Sequence, residues 1–206
     1  MRPEFIFLDL GNVIVNFDRA RSYRQMAVVA EVDEGRVRKA IEDGGLQEAI
    51  ERGGIDWPVF HEEFCRRTGS SPCPDALARA TSDMFDLNVA ILPVIAGIER
   101  AGIPIGILSN TCGIHWEHLL SSGYAVLPGH VAATVLSHEV GAIKPEPAIY
   151  ERAAELVGVA PERIFFCDDI LSHVEAARRA GWDAELFTTS SALIDALDRR
   201  GVNLGL

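Results

Sequence analysis

Four stretches of the chain carry apolar residues without the polar alternation of a half-exposed strand. They are FIFLDLGNVIV (Phe5 to Val15), IPIGILSN (Ile103 to Asn110), RIFFCDD (Arg163 to Asp169) and DAELFTT (Asp183 to Thr189), with a weaker candidate in AATVLS (Ala132 to Ser137). Continuous apolarity predicts strands covered on both faces, as in a parallel sheet. Between them lie runs at helical spacing that stop at a glycine: PVIAGIERAG (Pro93 to Gly102), PAIYERAAELVG (Pro147 to Gly158) and SHVEAARRAG (Ser172 to Gly181). Strand and helix alternating through the second half of the chain predict an α/β doubly wound parallel sheet with right-handed crossovers.

The stretch from Asn16 to Leu87 has a different rhythm. It repeats helix signals and holds no convincing strand. Asp18, Asp33 and Asp56 can each cap a following helix, and Gly44-Gly45, Gly53-Gly54 and Gly69 punctuate it. The expected organisation is a core formed by residues 1–15 and 88–206, with a helical domain of residues 16–87 inserted after the first strand. Trp57, Phe60 and Phe64, at helical spacing, belong to the core of that insert.

Composition narrows the class. With 206 residues, 48% hydrophobic and 24% charged, the chain can bury one good core and a smaller appendage. A formal net charge of −11 argues against non-specific nucleic-acid binding, which needs a basic face. No apolar run approaches the roughly 18 residues of a membrane span. MRPEFIF enters a strand with no leader-like segment, so a cytoplasmic protein is expected. Cys65, Cys73, Cys112 and Cys167 are scattered, with no C-x-x-C pair, and read as free thiols.

In an open parallel sheet, ligands bind where the carboxyl ends of the strands meet a reversal of strand order. Asp9 closes the first strand, Ser109 and Asn110 the next, Asp168 and Asp169 a third, and Lys144 precedes a helix that starts around Pro145 to Pro147. The chemistry that suits this set is phosphoryl transfer through an aspartyl-phosphate. A carboxylate can attack phosphorus, but it repels a phosphate dianion unless a cation lies between them. Asp9 and Asp169 would supply carboxylates to magnesium, with Asp168 in or beside that shell and the Gly11 carbonyl as a backbone ligand. Lys144 offers a point charge. Ser109, Asn110 and the adjacent N–H groups offer hydrogen bonds to the transferring group, helped by a helix starting just after them.

Asp9 in FLDLGNV, Ser109 in ILSNT, Lys144 in GAIKPEPAIY and Asp168-Asp169 in FFCDDILSHVEAARRAG together resemble the four ordered motifs of the haloacid dehalogenase-like (HAD) hydrolase superfamily, over Phe5 to about Phe187. LGNVIV, ERGGID (Glu51 to Asp56), SNT, KPEPAIY and the doubled aspartate are most similar to the branch containing bacterial hexose-phosphate phosphatases and the phosphatase domain of soluble epoxide hydrolases. The resemblance implies a Rossmann-like core, a helical cap inserted after the first motif, bound magnesium and hydrolysis of a phosphomonoester.

Two positions depart from the pattern. Phosphatases of the superfamily typically have an aspartate two residues after the nucleophile, which protonates the leaving group and then activates water. Here Gly11 stands there; it permits close backbone approach or an unusual φ, but removes that acid/base. Asp18, His115 and His173 are candidates for the role. Preference for leaving groups that need little protonation, or slow or absent turnover, are the other consequences open. His173, four residues after Asp169, replaces a usual aspartate or asparagine; magnesium prefers oxygen, so its imidazole is expected to hydrogen-bond rather than bind metal. His61, His118, His130 and His138 have no ligand spacing. Arg52 lies in a turn of the insert where substrate contact and plain surface are both open.

Three functions follow. One is a magnesium-dependent phosphatase for a small phosphorylated metabolite, with sugar phosphates among the candidates. The second is a 2-haloacid dehalogenase of the same fold, which would leave Asp168-Asp169 an uncompensated negative cluster. The third is a scaffold that binds phosphate, metal or a partner without efficient turnover. Neither the substrate nor the oligomeric state is written in the sequence.

Overall fold

The first apolar run is divided in the structure, a computed structural model that describes residues 1–124 and 131–205. Strand β1 covers Phe5–Leu8; the chain then turns through Asp9 to Ile14 and re-enters extended structure as β2, Val15–Phe17. Five helices follow: α1 (Arg19–Ala30), α2 (Glu34–Glu42), α3 (Leu46–Glu51), α4 (Trp57–Thr68) and α5 (Pro74–Ser82). Asp18, Asp33 and Asp56 cap three of them, each accepting the N–H three residues on, from Arg21 (3.0 Å), Arg36 (2.9 Å) and Val59 (3.0 Å). The chain returns through β3, Phe85–Leu87, which pairs antiparallel with β2 in the register Val15↔Leu87, Asn16↔Asp86, Phe17↔Phe85. This ribbon corrects the expectation of no strand between Asn16 and Leu87. Two three-residue strands some seventy positions apart carry no local periodicity that could announce them.

The remainder alternates as expected: α6 (Leu92–Arg100), β4 (Ile105–Ser109), α7 (Gly113–Ser121), β5 (Ala133–Leu136), the single turn α8 (Ser137–Val140), α9 (Pro147–Val157), β6 (Ile164–Asp168), α10 (Leu171–Arg179), β7 (Asp183–Leu186) and α11 (Ser190–Asp198). The five long-range strands form one parallel sheet in the order β5-β4-β1-β6-β7. It is an α/β doubly wound, Rossmann-like sheet. Successive side chains of β1 go to opposite faces. Ile6 and Leu8 join Ile98, Ile107, Leu193 and Leu197 on one side; Phe5 and Phe7 join Ile149, Tyr150, Val174 and Trp182 on the other. Gly106 is needed on the second face, because a Cβ there would lie 2.5 Å from the Phe7 ring.

Helices α1 to α5 enclose their own apolar cluster, with Tyr23, Met26, Ile41, Phe60, Phe64 and Leu77 buried and Trp57 packed against it. Cys112, just before α7, completes that cluster. The turn after α3 meets the core loop around α8. Ser137 Oγ donates to the Glu51 carbonyl (2.5 Å), and Arg52 forks onto both oxygens of Glu146 (2.9 and 2.7 Å). Gly53 has φ +71°, and a Cβ there would sit 2.2 Å from the His138 carbonyl oxygen. Gly53→Ala therefore combines left-handed strain with a backbone clash. It should cost about 3 kcal/mol, read as a lower denaturant midpoint at unchanged m-value. Among the described residues, no helix is long and apolar enough to cross a membrane.

Candidate active site

β1 lies between β4 and β6, so the carboxyl ends of these three neighbours, where strand order reverses, present Asp9, Ser109 and Asp168 together. The sequence-predicted acids converge: Asp9, Asp168 and Asp169 each place one carboxylate oxygen within 4.8 Å of the others. All three donors are oxygen, a set that fits a hard divalent cation.

The three acids are not equivalent. Lys144, 2% exposed, drives its ammonium between two of them. Nζ lies 2.8 Å from Asp9 Oδ1 and donates to Asp168 Oδ2 (2.6 Å) and the Leu108 carbonyl (2.9 Å), so each of its three protons has an acceptor. Asp168 also accepts from the Ile170 N–H (2.8 Å) and lies 3.0 Å from His173 Nδ1. Both its oxygens are thus engaged. Asp168 orients Lys144 and closes the next helix turn, and it has less freedom to join a metal shell than the sequence suggested. Asp9 Oδ1 accepts the Leu10 N–H (2.7 Å) besides meeting Lys144, whereas Asp9 Oδ2 has no protein partner among the described residues. Asp169 receives Asn12 Nδ2 on Oδ2 (2.8 Å) and keeps Oδ1 available. The flanking bonds run from Val15 N to Leu10 O and from Asn12 N to Val15 O; the Gly11 carbonyl is bypassed and stays open.

Burial pushes the Asp9 carboxyl up to about 6, with Lys144 pulling against it and the Asp168 charge adding to it. Burial acts on Asp168 in the same direction, but Lys144 and His173 overcome it and hold that carboxyl below its ordinary value. Lys144 is held above its own: burial disfavours its charge, and the two aspartates outweigh burial.

The other predicted residues are sorted by their partners. Ser109 is buried at the strand end and lines the crevice, its hydroxyl without a protein partner among the described residues. The Asn110 side chain is engaged within the protein: its Nδ2 donates to the Lys144 carbonyl (2.9 Å) and its Oδ1 accepts the Lys144 N–H (2.7 Å). Its side chain thus holds Lys144 in place, while the residue itself lines the crevice beside Ser109. Arg52 is likewise occupied, by Glu146 and Glu48 (3.0 Å), and belongs to the joint between α3 and the core loop. The unusual φ expected of Gly11 falls instead on Asn12, at +54°. What Gly11 provides is room, since a Cβ would meet Phe17 Cε1 at 3.0 Å.

A crevice opens above Gly11, Ser109 and Asn110. Phe17, Arg19, Gln47, Glu51 and Phe85 line it from the insert and its ribbon, and His115 from α7. Of the candidate replacement acids, Asp18 caps α1, pairs with Arg24 at 3.5 Å and is absent from this lining. His173 is engaged under Asp168. His115 does line the crevice, but burial, with His118 and Arg19, pushes its imidazole down to about 4, so it is neutral at pH 7. His61 contacts the Pro72 carbonyl and His138 the Thr111 carbonyl; His130 lies outside the described residues. Sequence reasoning passed over Asn12, Arg19, Gln47 and Glu51. Only a positive φ, a helix register and a folded joint bring them to the site.

A switch-point crevice with a lysine threaded between acids is the architecture of a family. Residues 6–181 match the haloacid dehalogenase-like hydrolases, and the chain belongs to that family. Among relatives, it is 34% identical over 114 residues to Phosphatase MT3486 of Mycobacterium tuberculosis, covering 55% of this chain and 52% of that protein. It is 28% identical over 133 residues to the glyceraldehyde 3-phosphate phosphatase of Methanopyrus kandleri, covering 60% and 56%. The chain thus spans about half the length of these relatives. Among solved structures, a HAD family enzyme of Bacteroides thetaiotaomicron in complex with magnesium and inorganic phosphate superposes with a TM-score of 0.81 at 22% identity, over 91% of this chain and 95% of that one.

Proposed function

We propose that this chain is a magnesium-dependent phosphatase that hydrolyses a small phosphomonoester, with sugar phosphates among its substrates, through an aspartyl-phosphate on Asp9. The observation that carries this reading is the convergence of Asp9, Asp168 and Asp169 within 4.8 Å, with Lys144 already neutralising two of them. Asp9 Oδ2, Asp169 Oδ1 and the Gly11 carbonyl are the atoms left to hold magnesium. That ion would supply the positive charge an anionic nucleophile and an anionic substrate need between them.

The chain's own groups supply the rest. Lys144, fixed by Asp168 and by the Asn110 side chain, meets the transferring group with a charge that need not reorganise. Ser109 offers its hydroxyl, and the N–H groups leading into α7 offer the positive end of a helix. The insert of residues 16–87 acts as a cap that lines the crevice with Phe17, Arg19, Gln47 and Glu51 and limits substrate size. The named relatives, both phosphatases, support the phosphorus chemistry.

Purified protein should release inorganic phosphate from a panel of phosphomonoesters in the presence of magnesium, and EDTA should stop it. No release from any of them overturns the proposal. Chloride release from 2-chloropropionate, insensitive to EDTA, would assign the dehalogenase reading instead. Binding can be seen without turnover. Magnesium at about 100 times its dissociation constant should stabilise the fold by roughly 2.7 kcal/mol, because it binds a site that only the folded chain assembles. Asp169→Ala should abolish that rise in Tm.

A further inference from the structure

Gly11 leaves the leaving group without its usual proton donor, and the crevice holds one carboxyl that no feature described so far uses. Glu51, the last residue of α3, lines the same crevice as Gly11 and Ser109. Three contacts hold it there. Its Oε1 accepts a hydrogen bond from Gln47 Nε2 (2.6 Å), one helical turn back. Its carbonyl accepts from Ser137 Oγ of the core (2.5 Å), and the next residue, Arg52, forks onto Glu146. The backbone at Glu51 is therefore pinned to the sheet side of the molecule, although α3 belongs to the insert. Oε2 has no protein partner among the described residues. We propose that Glu51, delivered to the crevice by the α3 joint, is the general acid and base of this phosphatase, in place of the acid missing at Gly11.

This inference rests on the phosphatase reading. In the first half-reaction, an Asp9 carboxylate oxygen forms a bond to phosphorus. The bond from phosphorus to the ester oxygen breaks, its electron pair stays on that oxygen, and Glu51 gives it a proton as the alcohol departs. In the second, Glu51 as carboxylate removes a proton from water while the water oxygen bonds to phosphorus. The bond from phosphorus to Asp9 breaks, its electron pair returns to the carboxylate, and inorganic phosphate leaves with Glu51 protonated again.

The surroundings suit both roles. Burial raises the Glu51 carboxyl above its ordinary value, the direction that suits a proton donor. The Gln47 hydrogen bond, Arg19 of α1 and Lys144 favour the carboxylate, while Glu48 on the same helix opposes it. The remaining titratable neighbours are His115, neutral at pH 7, and Cys112, whose thiol burial pushes up to about 12. Neither competes for the proton.

The test compares wild type, Glu51→Gln and Glu51→Asp on two monoesters, 2,4-dinitrophenyl phosphate and an alkyl phosphate. Glu51→Gln should lose about 10²–10³-fold on the alkyl ester, whose leaving oxygen needs a proton. On the dinitrophenyl ester it should keep a one-equivalent burst of dinitrophenol and then stall. The aspartyl-phosphate that accumulates adds the mass of one phosphoryl group to the intact protein. Magnesium-dependent binding of fluoroberyllate, read by calorimetry, should be unchanged. Glu51→Asp, one methylene shorter and still ionisable, should fall between the two and keep a shifted acid limb in its pH profile. Equal losses on both esters with no accumulated adduct, or a Gln variant with wild-type rates, overturn the assignment of Glu51. If wild type itself releases no phosphate from either ester, the phosphatase reading is what has failed.

Discussion

Asp9→Asn should abolish phosphate release, by at least about 10⁴-fold, without lowering Tm. The amide has almost the shape of the carboxylate. Its oxygen can keep the Leu10 N–H and the Lys144 ammonium, which meet Asp9 Oδ1 at 2.7 and 2.8 Å. What disappears is the anionic nucleophile, and no covalent adduct should form on the variant. Stability should hold or rise at pH 7. Burial lifts the folded-state Asp9 carboxyl to about 6 from 3.8, so the folded protein binds this proton more tightly than the unfolded chain does. Ionising Asp9 in place therefore costs stability as pH rises from 4 to 6, by roughly 3 kcal/mol once complete. Asn carries no such charge, although Lys144 loses part of its compensation. Steady-state assays and thermal melts on the same preparation read both effects. An Asn variant retaining more than about a hundredth of wild-type turnover would remove Asp9 from the chemistry, and a melt lowered by 10 °C would show the loss to be structural.

Lys144→Met should instead damage the fold. Lys144 is 2% exposed, its three N–H donors are all satisfied, and its ammonium lies over the Phe166 ring at 5.4 Å. Methionine fills much of the same space but leaves Asp9 and Asp168 facing each other with only His173 as a counter-group. Removing one member of a buried ionic cluster costs about 3–5 kcal/mol, here a fall in Tm of roughly 10 °C. The pH dependence separates this cause from poor packing. In wild type, Asp168 is held low, so its contribution is present above its ordinary value and is lost only on strong acidification. Lys144 is held high, so its contribution persists until pH rises through its folded-state value. In the variant both carboxyls are released upward, and protonating either relieves their repulsion. The stability gap between wild type and Lys144→Met should therefore narrow as pH falls from 7 to 5, measured by urea unfolding in EDTA. A gap that stays constant would mean that packing, not charge, dominates the loss.

These two expectations divide the pair that the sequence joined. Asp9 and Lys144 both stand in recognisable motifs at strand or helix ends, but one is expected to be replaceable in the fold and needed for the proposed chemistry, and the other to be built into both. That difference depends on which atoms Lys144 touches. Asn110 makes the same point. It ends an apolar strand beside Ser109, as a ligand-binding residue would, yet its amide faces the Lys144 backbone 34 positions away.

The sequence by itself determined the parallel strands, the helices that end in glycine, the three aspartate caps and the gathering of Asp9, Ser109 and the Asp168-Asp169 pair at one sheet edge. Each of these is a local matter: a run of apolar residues must be covered on both sides, and a polar residue closing it must lie where cover stops. Only the tertiary structure decided the β2–β3 ribbon, the engagement of Asp168 and Asn110 with Lys144, the clamp of Arg52 on Glu146 and the arrival of Glu51 in the crevice beside Gly11 and Ser109. These are encounters between segments tens of residues apart, set by how the folded elements pack, which no period in the chain encodes.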